Sequence, residues 1–284
     1  MYGPTILARS LSTVGTMTDG IGWQYHSRSD RHSKIGCWGV AFDLLSHSSL
    51  MRRHAAEGKI VLGVNHRMVD YATGRRKDLN LVIARPDVDQ PVRKAQTLRG
   101  LAEQYRIDLD EEERGVLTEL PDVSVAPVGA VLVALEAKAA MTAHVKALPR
   151  LYDELNSSHL AVHGASSQAL AIAYVQVNLA DSFVSPNPKN VAMMQNGLGP
   201  KVSRHRQPED TIRVLDKIAE IPRRSSNNGN GFDAIGVSVF ELHNDGTPVT
   251  VIEGSPAPQA GQPFHYGGMI VRMSNEYDST FARI

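Results

Sequence analysis

The sequence predicts one mixed α/β domain, and three observations carry that prediction. Short apolar runs of strand length, "KIVLGV", "DLNLVIA", "GAVLVALEAK" and "ALAIAYVQVNLA", alternate with stretches of helical spacing. Apolar residues make up 42 % of the chain and charged residues 21 %, the balance of a globular protein rather than a disordered one. The 284 residues are enough to bury a substantial core, and no long linker or internal repeat divides them. Formal net charge is zero, so no global field draws the chain to nucleic acid and any basic surface must be local. The single cysteine, Cys37, excludes an internal disulfide and fits a reducing compartment. It stands beside Trp38 with no thiolate-stabilising neighbour and reads as a packing residue. No apolar run reaches the ~18 residues of a membrane span, and the first residues lack a basic segment followed by an apolar one. The expectation is a cytoplasmic protein with no membrane partner.

Each element has its own signal. Residues 1–37 are polar and Gly/Ser-rich and read as an N-terminal arm. Trp38, Phe42, Leu45 and Leu50 recur at helical spacing, and Gly58 offers a stop. Strands are expected at 59–64 and 78–84, then helices over 92–107 and 108–120. "PDVSVA" and "GAVLVALEAK", joined through "PVG", read as a hairpin. A helix follows from 142 to 159, in which Pro149 must sit in the first turn or produce a kink. "ALAIAYVQVNLA" reads as another apolar strand, and Val131 to Leu135 form a continuous apolar stretch, the mark of a strand covered on both faces. Residues 184–284 are loop-rich, with a helix near 208–221 and strands near 234–242 and 248–252. They are most economically an extension of the same sheet.

One strand carries the chemistry. Val131 to Leu135 are apolar, yet Glu136 and Lys138 stand at the end of the run, and residues two apart on a strand share a face. Buried charges need partners. If the hairpin turns near Val128, Asp122 is brought to the same end and face as this pair. A one-residue slip would remove it. Two carboxylates and a lysine at a strand terminus suit a hard divalent cation, with the lysine orienting or deprotonating a water or offsetting charge on a phosphate. The alternative partner strand is "RRKDLNLVIARP", where Asp78 and Asn80 share a face. There Asp78 would be the ligand, or Asn80 would stand in the aspartate's place, offering a neutral oxygen and weakening metal binding. The plain reading of Glu136 and Lys138 is an ion pair at a strand end entering solvent.

Pro121-Asp122, thirteen intervening residues and then Glu136-Ala137-Lys138 resemble the motif of the PD-(D/E)XK nuclease superfamily, which includes most type II restriction endonucleases. The order of elements over about 38–180 is similar to that family's core. The resemblance implies a restriction-endonuclease-like mixed β-sheet core flanked by helices, here with a C-terminal α/β extension at 184–284, all within a single nuclease-like domain. It also implies hydrolysis of phosphodiester bonds in double-stranded DNA with Mg²⁺, or Mn²⁺ in its place. Asp122 or Asp78 with Glu136 would be the metal ligands, and Lys138 would stand near the attacking water. A sequence-specific enzyme of this kind is expected to be a homodimer, one site per strand. The alternatives are a repair or recombination nuclease, and a DNA-binding or structural protein that keeps the fold without cutting.

DNA contacts would come from local clusters: Arg28, Arg31 and Lys34; Arg75, Arg76 and Lys77; Lys201, Arg204 and Arg206; and Arg223 with Arg224. Asn227 and Asn228 are placed to reach base edges. Solvated surface is the plain reading of each. His159 and His163 have the spacing of a helical zinc pair but no third ligand, and read as a cap or solvated face. Arg150, Asp153 and Glu154 read as surface pairs, with a place beside the active site as the sharper alternative. "HGASSQ" lacks the closing glycine of a nucleophile elbow, and "GNGFDAIG" has neither dinucleotide nor P-loop spacing.

Overall fold

The computed structural model describes residues 1–71, 73–87, 89, 96–224 and 229–284. The chain begins with α1 (Gly3–Leu11), the small hairpin β1 (Thr16–Thr18) and β2 (Ile21–Trp23), then α2 (Arg31–His47) and α3 (Ser49–Ala56). Next come β3 (Val61–Val69), β4 (Arg76–Pro86), β5 (Gln96–Thr97), α4 (Leu98–Gln104), α5 (Glu111–Glu119) and β6 (Ser124–Val125). The motif strand is β7 (Val128–Ala140), followed by α6 (His144–Ala165) and β8 (Leu170–Asn178). The remainder holds β9 (Ser182–Val184), α7 (Pro188–Gln195), β10 (Val202–Arg204), α8 (Glu209–Ala219), β11 (Ala234–Glu241), β12 (Thr250–Ile252) and α9 (Tyr266–Thr280).

Eight strands form one mixed sheet in the order β12-β11-β8-β7-β4-β3-β6-β5. β3, β4 and β7 are antiparallel neighbours, while β8 runs parallel to β7 and β11 parallel to β8. All nine residues of β8 are buried, the polar Gln176 and Asn178 included, as in a strand covered on both faces. On one face Ile6, Trp38, Phe42, Ile270 and Tyr277 of α1, α2 and α9 pack against Val133, Leu135 and Ile172. On the other, Leu155 and Val162 of α6 and Val214 and Ile218 of α8 pack against Ala173, Val175 and Ile235. Residues beyond 184 extend this sheet through β11, although β9 and β10 pair only with each other. Among the described residues no helix is long and apolar enough to cross a membrane.

Three expectations are corrected. The N-terminal segment is not a loose arm, because Ile6, Leu7 and Leu11 of α1 are core residues and Pro4 occupies one of the helix-starting positions that proline tolerates. The long helix after Trp38 breaks at Ser48, whose extended backbone ends α2 and whose hydroxyl accepts from Met51 N to cap α3. The 121–138 hairpin does not form. β6 is two residues long and pairs with β3 and β5, whereas β7 takes β4, the longer apolar partner, with Leu81, Val82 and Ile83 opposite Leu135, Ala134 and Val133. Pro127, which cannot donate to a ladder, lies in the link between β6 and β7. Pro149 is the sixth residue of α6, inside the helix rather than in its first turn.

α1 is tied to the core by a buried carboxylate. Asp43 on α2, fully buried, accepts hydrogen bonds from Tyr2 N (2.8 Å), Gly3 N (2.9 Å) and the Tyr266 hydroxyl (2.8 Å). Asp43→Ala leaves all three donors unpaired, and roughly 3 kcal/mol or more of stability should be lost. Urea unfolding measures this, and an unchanged midpoint would show that water replaces the carboxylate.

Candidate functional site

Glu136 and Lys138 face α6 from a strand whose partner has turned away. The β4–β7 ladder ends at Leu81 opposite Leu135. Beyond it, β4 stays paired with β3, and the distal half of that hairpin folds over α6, where Met68 and Leu79 join Leu151 and Leu155. At the point of divergence, Asn80 replaces the missing backbone partner: its Oδ1 accepts from Ala137 N at 2.9 Å. By continuation of the register, Asn80 stands opposite Glu136. The free edge of β7 from Ala137 to Ala139 becomes the side of a cavity of about 410 Å³.

The electrostatics centre on a carboxylate only 3 % exposed. Glu136 Oε1 lies 2.9 Å from Lys138 Nζ and 3.6 Å from Lys77 Nζ, while Oε2 is buried with no hydrogen-bond partner among the described residues. Lys138 Nζ also reaches Glu154 Oε2 at 2.9 Å, and Arg150 Nε donates to Glu154 Oε1 at 2.6 Å. Burial disfavours the Lys138 ammonium, but Glu136 and Glu154 outweigh it and hold its pKa above the ordinary lysine value. The lysine is therefore a proton donor and a positive charge at neutral pH, not a base. Glu154 is likewise held below the ordinary glutamate value: burial alone would raise it, and Arg150 and Lys138 prevail. Three cations (Lys77, Lys138, Arg150) and two carboxylates (Glu136, Glu154) leave this cluster one positive charge in excess.

The cavity has Lys138 and Asn80 on its floor. Tyr25, Ser27, Arg28 and His32 stand in one wall, and Ala147, Arg150 and Glu154 of α6 in the other. His32 opens α2 beside Tyr25, ring centroids 4.9 Å apart. Burial, helped by the Lys138 charge, pushes its imidazole down to about 4. At the end of β7, Met141 O accepts from Asn178 Nδ2 at 2.9 Å, which fixes the exit of the strand below the cavity.

The structure brings together Glu136, Lys138 and Lys77, and places the other expected residues elsewhere. Asp122 precedes β6, on the far side of β3 and β4 from β7 and so about 14 Å away in strand spacings alone. Its Oδ1 accepts weakly from Arg99 N at 3.3 Å. Asp122 was expected at the site only through the hairpin that does not form. Asp78 is exposed on β4 and binds Arg67, its cross-strand partner on β3, at 2.7 and 2.9 Å. Neither aspartate lines the cavity. Asn80 is the residue that occupies the strand position facing Glu136, and Glu154, one of the surface candidates, stands beside Lys138. The signal for Asn80 was its place in the apolar strand "LNLVIA". For Glu154 the sequence had only helical spacing.

Among the basic candidates, Arg224 is buried (side chain 1 % exposed), bonded to Asp233 at 2.7 Å and to the carbonyls of Ser167 and Ala169. It clasps the 222–233 segment to the start of β8 and is not available to DNA. Arg31 donates to Ser10 O, Lys34 pairs with Asp30, and Arg223 lies over the Phe264 ring. Arg28, Arg75, Arg76, Lys201, Arg204 and Arg206 are exposed. Asn227 and Asn228 lie outside the described residues. His159 and His163 are not a zinc pair: His159 meets Asn156 and His163 the Gly231 carbonyl.

A divalent cation has a minimal donor set here. Among the described residues no group of three His, Cys, Asp or Glu side chains is placed to hold a metal ion. Mg²⁺ nevertheless takes only one or two protein carboxylates and keeps several waters. Glu136, with its unpartnered Oε2, and Glu154 are the two carboxylates here that could meet that demand; Lys138 Nζ now stands 2.9 Å from each, and the Asn80 amide oxygen is taken by Ala137 N. Comparison with family models, with curated proteins and with solved structures finds no match to this chain.

His32 gives the site a pH dependence of known sign. Its native imidazole stays neutral down to about 4, whereas the unfolded one titrates near 6.5. Between those values the unfolded state binds a proton that the native state refuses, so stability falls as pH is lowered through that window. Urea midpoints of His32→Gln should decline less steeply there than those of the parent. Equal slopes would mean that His32 is charged in the folded protein.

Proposed function

We propose that the chain is a metal-dependent DNA nuclease on a PD-(D/E)XK-like core, running α2, β3, β4, β7, α6, β8. The observation that carries this reading is the placement of Glu136 and Lys138 on one face where β4 leaves β7, with a buried carboxylate oxygen left without a partner. Glu136 and Glu154, with the Asn80 oxygen, would hold Mg²⁺ or Mn²⁺. The ion, when bound, supplies charge neutralisation at the phosphate and a lowered pKa for water. The protein's own part follows from its charges. Lys138, held protonated, neutralises the phosphate as water attacks phosphorus and the bond to one strand end breaks. It can pass its proton to the departing oxygen, with the proton released by water going to solvent. Arg150 and Lys77 add positive charge on either side. Cutting both strands of a recognition sequence, as a restriction enzyme does, would require a homodimer.

A second reading rests on Asn80. The amide opposite Glu136 offers one neutral oxygen, already accepting from Ala137 N, where a carboxylate would bind a cation more strongly. That favours a protein that holds DNA without cutting it.

Incubation of supercoiled and single-stranded circular DNA with Mg²⁺, Mn²⁺ or EDTA decides between them. The nuclease reading expects cleavage that EDTA abolishes, that falls at least roughly a hundredfold in Lys138→Gln, and that rises in Asn80→Asp. Thermal unfolding checks that each variant folds. No cleavage by the parent beside cleavage by Asn80→Asp would establish the second reading. Metal-independent cleavage, or full activity in Lys138→Gln, would overturn the first.

A further inference from the structure

The shape of the cavity bears on which form of DNA can reach Lys138. Only 23 % of the Lys138 side chain is exposed, and it opens onto the cavity and not onto an open groove. At about 410 Å³ the space is at the small end of the ~300–1,000 Å³ range of single-ligand pockets. A ligand the size of one nucleotide suits such a space better than a base pair does.

The walls are fixed. The backbone of Tyr25 is clamped on both sides by Asn244, whose Oδ1 accepts from Tyr25 N at 2.9 Å and whose Nδ2 donates to Tyr25 O at 3.1 Å. Gln24 next to it donates to Thr247 O at 2.7 Å and Ser12 O at 3.3 Å, and its Oε1 accepts from Gly246 N. These groups are buried, so the segment cannot swing aside to admit a duplex without breaking them. The opposite wall is the body of α6.

The lining matches an unpaired nucleotide. Arg28 is exposed in one wall, Arg150 is 84 % exposed in the other, and Lys138 lies between them on the floor. Tyr25, itself buried with its ring against His32, backs a wall that offers the Ser27 and Ser29 hydroxyls. A positively charged groove that tracks a backbone is one of the means by which single strands are held without regard to sequence. We propose that DNA reaches this site as a single strand, one unpaired nucleotide entering the cavity with its phosphate between Arg28, Arg150 and Lys138. The proposal rests on the nuclease reading and narrows its substrate.

Fluorescence anisotropy with a labelled oligonucleotide, single-stranded and annealed to its complement, tests it, with Ca²⁺ replacing Mg²⁺. The single strand should bind at least roughly tenfold more tightly. Its affinity should fall with salt at about −0.7 in log K per log salt for each phosphate held. Arg28→Ser should make that slope shallower by about one contact. Ser27→Trp fills the cavity from an exposed wall position and should abolish the preference for the single strand while thermal unfolding stays unchanged. Equal or tighter duplex binding, or an unaltered preference in a folded Ser27→Trp, overturns the proposal and leaves the nuclease reading standing. Failure to bind either form defeats both.

Discussion

A buried carboxylate that must keep cationic company organises this molecule. Glu136 lies deep in the longest strand of the sheet, where an unpaired charge would cost several kcal/mol. Lys138 answers it from the same strand and Lys77 from the neighbouring one. To bring Lys77 there, β4 must leave the β7 ladder and fold with β3 over α6. Once it does, Ala137 loses its backbone partner and Asn80 must supply one. The cavity, the free strand edge and the excess positive charge all follow from accommodating that one side chain.

The lysine is the member whose role is most constrained. With Glu136 and Glu154 both 2.9 Å from its nitrogen, it stands where a cation bridging the two carboxylates would be expected. Its charge is thus part of what holds Glu136 and Glu154 together as well as what would meet a phosphate. The same economy applies to Arg150, which is bonded to Glu154 through one nitrogen while most of its side chain faces solvent. The groups that neutralise one another at rest are also the ones that the proposed function would turn toward a substrate.

Much of this was legible in the sequence. The unbroken apolar runs at 131–135 and 169–175 disclosed two central strands, since strands covered on both faces carry such runs. Glu136 and Lys138 disclosed the site because charges at the end of such a strand need partners. The third member was harder to read. Asp122 pointed to a hairpin because short apolar segments flanking "PVG" look alike in one dimension. What decides their pairing is the length of partner that β4 offers, a non-local property. Glu154 and His32 reach the site through the packing of α6 and α2, and no local pattern reports which helical face meets which strand end. Arg224 looked like surface charge because a basic pair in a loop-rich segment ordinarily is. Its partner Asp233 stands nine residues further along the chain.

The clamp between Asn244 and Tyr25 joins two distant parts of the chain, and this sets a timetable. During synthesis the wall-forming residues 24–30, with α1 and α2, leave the ribosome before the strands of the sheet. The strands that carry Glu136 and Lys138 follow well before residue 244 exists. Until that asparagine emerges and β11 docks beside β8, the floor of the cavity has no fixed wall opposite α6. A growing chain therefore carries these charged residues for some time without their enclosure. The cavity closes only once residue 244 and β11 are in place.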